Sequence, residues 1–130
     1  MGGTVKIDRL FLVIAAVYIL IGMGLGSYMG MNQDFGHRTT HTHINLLGFV
    51  SMTLFALVYR AWPVMQQSVL AKIHFFAYQA GALIMVSAIF LKYGGHAEEG
   101  VFGPMFGLSE ALLLLGMLCF LAGVVRSARD

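Results

Sequence analysis

A chain of 130 residues is one domain by length, and 58% of this one is hydrophobic while only 11% is charged. At a mean hydropathy of +0.80, so much apolar surface cannot be hidden in the core of so short a chain, which excludes a soluble domain and leaves lipid as the solvent. The net charge of +2 on scattered basic residues gives no footprint for nucleic acid, and a single cysteine, Cys119, cannot form an internal disulfide.

Crossing the hydrocarbon as helix takes about 20 mostly apolar residues, and four stretches qualify. The first covers residues 10–31 and carries no charge. It is longer than the apolar core of a signal peptide and no small-x-small cleavage site follows it, so it reads as a retained span. The second covers residues 39–62, with Arg60 near its end; the third, residues 69–93, has Lys72 and Lys92 as its charges; the fourth, residues 104–125, has Glu110. Pro63 and Pro104 stand where one helix should stop and another start. The expectation is an all-α, integral membrane four-helix bundle with short connections.

Basic residues fix its expected orientation. Lys6, Arg9, Arg60, Lys72, Arg126 and Arg129 fall on one side; Arg38 and Lys92 share the other with Asp34, Glu98 and Glu99. Both termini are then cytoplasmic, in a bacterial inner membrane, and the histidine-rich segment 37–43 faces outward. In the first span, Gly22, Gly26 and Gly30 repeat at four-residue spacing. Stacked on one helix face, they allow close backbone approach, either by another span of this chain or by the same helix in a second copy. The assembly expected from that face is a homo-oligomer.

Polar groups are costly in hydrocarbon, so each one in a span is a functional candidate. They are His41, His43, Asn45, His74, Gln79 and Glu110. At about 1.5 Å per residue, His43 lies roughly 6 Å and Glu110 roughly 9 Å below the outer boundary. Those depths are compatible, whereas His74 sits near the opposite end. At about 100° per residue, His41 and His43 point roughly 160° apart, so one helix cannot aim both at one ion. The economical division turns His43 into the bundle and leaves His41 and His37 at the interface, within reach of His96, Glu98 and Glu99. His74, alone at its depth, reads as a packing or interfacial residue.

The segment RTTHTHINLLGFVSMTLFALVYR resembles the second helix of subunit I in the haem–copper oxidase superfamily, nearest to the cbb3-type oxidases and nitric oxide reductases. There a His-x-Asn at the start of the helix supplies an axial ligand to a low-spin haem b, and the matching positions here are His43 and Asn45. Subunit I has about a dozen helices against four here, and its copper-site histidines have no counterpart. The resemblance therefore implies a haem or metal site at His43 rather than oxygen reduction. A second axial ligand would come from His96, from His41 after a helix irregularity, or from a neighbouring copy.

The leading functional expectation is a small membrane protein binding haem b or a transition metal near the outer face, for electron transfer or gas sensing in the case of haem, through His43 with His41 and Asn45 beside it. The alternative is a zinc- or copper-binding protein without haem, using His41, His43, His96 and Glu110. A proton path through Glu110 ranks last, because spans two and four carry no polar chain to the cytoplasmic side. No activated nucleophile, phosphate loop or Cys-x-x-Cys pair points to a soluble enzyme.

Overall fold

The structure is a computed structural model that describes residues 6–128, so Arg129 of the basic side lies outside the described residues. Helix α1 is Ile7–Asn32, α2 is Arg38–Ala61, α3 is Val69–Tyr93 and α4 is Glu99–Ala128. Each is long and apolar enough to cross a membrane, and no strand occurs among the described residues. Short connections join consecutive helices, so they run up, down, up and down.

Three of the four spans lie within a few residues of their expected bounds, and the fourth differs. α4 starts at Glu99, five residues before Pro104, which sits inside the helix. Proline at the sixth helical position removes one bond, to the carbonyl of Gly100, an exposed residue at the mouth of the helix where water can reach that group. Glu99 in the first turn opposes the positive end of the helix dipole. Pro63 behaves as expected: α2 stops, and a 3-10 turn, Pro63–Gln67, leads to Ser68, whose hydroxyl caps α3 by accepting from the N–H of Leu70 at 3.1 Å.

Two helix pairs are built on glycine. Between α1 and α2, Tyr18 packs on Gly48 where a side chain would otherwise stand, and α2 side chains fill the space beside Gly22 and Gly26. Between α3 and α4, a Cβ on Gly81 would lie 3.0 Å from the Leu113 nitrogen, and one on Gly116 would lie 3.3 Å from the Tyr78 nitrogen. In the second pair main chain thus approaches main chain, in the first side chains pack into the glycine gaps, and dispersion contacts hold both where lipid offers no hydrophobic drive.

Aromatic rings join the two pairs. Phe11 of α1, Phe55 and Tyr59 of α2, His74 and Tyr78 of α3, and Phe120 of α4 form one cluster toward the end of the bundle that carries the termini. Every helix contributes to it. At the same end Asp8, 5% exposed, is neutralised by Arg60 at 3.3 Å, while its backbone N–H donates to Gln66 at 3.1 Å.

Helix α2 is not uniform. Residues Ile44–Val50 follow π-helical bonding, in which the N–H of Ser51 reaches back five residues to Leu46. Such wide turns occur mostly as single interruptions and are common at functional sites. The Tyr78 hydroxyl of α3 donates to the Leu47 carbonyl at 2.9 Å and so pins this segment from outside.

The glycine contacts are open to direct test. Gly48→Leu should destabilise the bundle by about 1–3 kcal/mol through overpacking against Tyr18. Gly24→Leu, at a position with nothing within 4 Å, should change stability by less than about 0.5 kcal/mol. Helicity followed through denaturing-detergent titration separates the two; equal effects would contradict the packing described.

Candidate functional site

The histidine end is set by how α2 meets α1. His41 reaches across to α1, and its Nδ1 lies 2.8 Å from the Gly22 carbonyl. A carbonyl only accepts, so the ring carries its proton on Nδ1 and leaves the Nε2 lone pair free. Four residues on, Asn45 donates from its side-chain nitrogen to that Nε2 over 3.4 Å. Gly26 makes room for the ring: a Cβ there would lie 2.8 Å from His41 Cε1. Gly22 makes room for Asn45, whose side-chain oxygen occupies the place of the absent Cβ. That oxygen is buried without a conventional donor, and the Gly22 Cα–H beside it can offer only a weak one.

Two of the three glycines in the row therefore face the second span of the same chain, and Gly30 stands in open space. The division between the histidines is also the reverse of the expected one. His41 is the residue turned toward a neighbouring helix, and His43 is half-buried, its ring bonded among the described residues to its own helix. Its Nδ1 donates to the Thr39 carbonyl at 2.9 Å, which again leaves Nε2 as the unprotonated nitrogen. An imidazole whose Nδ1–H is held by a carbonyl has a fixed ring plane and a directed Nε2 lone pair, the arrangement that metal-ligating histidines show.

His37 and His96 come together from two different connections. The His37 ring lies parallel to Phe90 of α3, with centroids 4.8 Å apart, and the His96 ring lies nearly parallel to the same phenyl at 5.2 Å. His37 also shares a hydrogen bond of 3.0 Å with Thr40. Phe90 thus seats both residues. Glu110 is exposed on α4, while its neighbour Ser109 is the buried group, donating to the Phe106 carbonyl at 2.9 Å. Among the described residues no three histidine, cysteine or acidic side chains converge on one point. His41, His43, His96 and Glu110 are accordingly not gathered into a single donor set within one chain.

His74 is more than a solitary imidazole. It is fully buried, shares a hydrogen bond of 2.8 Å with Tyr59 through Nδ1, and has no partner for Nε2. Phe11, Phe55, Phe120 and Tyr78 surround it with centroids 4.5–6.0 Å away. The pairing was missed because the two residues belong to different spans, yet Tyr59 precedes and His74 follows a short turn, which brings them to one depth. Asp8 was missed for a simpler reason: it precedes the first apolar residue counted as membrane.

A haem tests differently against these residues than a bare cation does. A single imidazole with an anchored Nδ1 and a free, partly accessible Nε2 suits one axial ligand, and His43 provides it. A zinc or copper ion needs three or four donors at once, more than one described chain assembles. The chain matches no family model, no curated protein and no solved structure.

The His74–Tyr59 pair has a stability signature of its own. Tyr59→Phe and His74→Phe should each cost about 1–3 kcal/mol, because each strands a buried polar atom, while the double variant should cost clearly less than their sum. Unfolding free energies for the cycle in detergent micelles measure this; additive losses would mean the pair is not coupled.

Proposed function

We propose that this is a multi-pass protein of a bacterial inner membrane that holds haem b at the end remote from its termini, with His43 Nε2 as an axial ligand. The observation that carries the reading is the bond from His43 Nδ1 to the Thr39 carbonyl at 2.9 Å, which leaves a directed lone pair on a half-buried ring. The likeness of HTHIN to the haem-ligating start of the oxidase helix supports the same residue.

The other histidines define what the chain lacks alone. His41 is engaged with Gly22 and Asn45, and His96 rests on Phe90. A second axial ligand is therefore best supplied by His43 of another copy, since symmetric assembly presents the same group twice. Gly30, with open space beside it, remains the member of the glycine row able to meet that copy. When bound, haem would supply one-electron transfer or gas binding, at a potential set by its ligands and burial. The chain's own part is to fix the ring plane of His43 and direct its Nε2 outward by holding Nδ1–H on the Thr39 carbonyl. The excess of basic residues at the end of the termini supports placing that end in the cytoplasm.

The full chain, produced with ample haem and purified, should show a Soret band with haem in stoichiometric amount. His43→Ala should lose it, and added imidazole should restore part of it by occupying the vacated position, an effect that a purely structural residue would not show. A colourless wild-type protein would overturn the proposal, as would a His43→Ala protein with undiminished haem. Stoichiometric zinc or copper without porphyrin would transfer the case to the haem-free alternative.

A further inference from the structure

We propose that the bundle carries, at the end of its termini, a binding site for the headgroup of an anionic phospholipid, formed by Lys6 and Lys72 over an apolar floor. A cleft of about 530 Å3 opens there between the start of α1, the start of α3 and the turn that precedes it. Lys6 and Lys72 stand at its rim; Leu10, Phe75 and Phe76 form its apolar wall.

Charge decides the sign of the occupant. The ion pair found among the described residues is Arg60–Asp8. Asp8 is buried, with one carboxylate oxygen toward Arg60 and the other accepting from the Arg9 N–H at 2.7 Å. That carboxylate is therefore already engaged, and neither rim lysine has an acidic partner among the described residues. Two helices also begin at this cleft, and the positive ends of their dipoles add to the same potential. A group with a permanent negative charge fits, and a headgroup with its own ammonium is repelled by both lysines.

The floor decides between a free anion and a lipid. A dissolved phosphate gains nothing from phenyl rings, whereas an anchored one brings hydrocarbon next to them. Phe76 is 69% exposed on the outer surface of α3, so the cleft continues without a break into the face that acyl chains cover. Basic recesses between spanning helices at the boundary are where acidic lipid heads bind, at about 1 kcal/mol per lysine, or roughly fivefold each. The cleft lies at the end of the bundle opposite His43, so its occupancy is independent of haem.

Trp62, the only tryptophan, directly precedes Pro63 on the cleft wall and reports occupancy. The full chain would be placed in phosphatidylcholine vesicles containing increasing brominated phosphatidylglycerol, with brominated phosphatidylcholine as the reference quencher. Wild type should be quenched at a lower mole fraction of the anionic lipid, with a preference of roughly 25-fold that falls to about fivefold in Lys6→Gln or Lys72→Gln. The preference should vanish in the double variant and persist in Lys92→Gln, at the opposite end. Equal quenching of wild type by both lipids overturns the proposal without recourse to any variant, as does a preference surviving in a double variant of unchanged helicity. Loss of the preference on adding millimolar inorganic phosphate would reassign the cleft to a soluble anion and overturn the lipid reading.

Discussion

The close approach of α1 to α2 is the contact on which the histidine end depends. In hydrocarbon no water rescues an unpaired polar group, so a histidine and an asparagine on a span need partners inside the protein. α1 provides them by subtraction. Gly22 exposes its carbonyl to the His41 ring, and Gly26 vacates the volume that the ring fills. Larger residues at either position would force the helices apart and leave His41 and Asn45 facing acyl chains. Small residues that sequence patterns associate with association between copies here serve to bury polarity within one chain.

A second organisation governs the other end. There the two helix pairs meet through rings, and the pairs are joined by shape rather than by backbone contact. His74 at the centre takes one hydrogen bond from the surroundings and leaves Nε2 unpaired among aromatic neighbours. Stability at this end rests on dispersion and edge-to-face geometry, each ring contact being worth about 0.5–1.5 kcal/mol beyond its burial. Buried Asp8, paired with the exposed guanidinium of Arg60, closes that end, so charge lies at its margin and not among the rings.

Lipid imposes so strict a length and polarity on a helix that the four spans were legible from composition alone. The start of α4 was not, because proline is a boundary signal whose force depends on whether the carbonyl it displaces can reach water. The row at Gly22, Gly26 and Gly30 announced a packing face but not its partner, since a glycine stripe encodes proximity and no direction. The roles of His41 and His43 were reversed for a related reason. A span that is apolar on every side gives no rotational phase, and phase is what decides which imidazole meets α1. The coupling of Tyr59 to His74 was within reach of the sequence, because the turn between their helices is short enough to align them. That His37 lies in reach of His96 was legible from their shared place at the interface, whereas their common seat on Phe90 was not, because ring stacking leaves no trace in spacing.

The wide turn at Ile44–Val50 lies between these two ends. Helical phase beyond it depends on how many residues each turn consumes. Conversion of that stretch to ordinary i→i+4 bonding would rotate His41 and His43 relative to Phe55 and Tyr59 by about one residue's angle, roughly 100°. The imidazoles would swing around the axis of α2 while the rings below stayed seated. The hydroxyl of Tyr78 on the Leu47 carbonyl meets these seven residues in the wide turn, and the turn sets the angle between the polar and the aromatic half of α2.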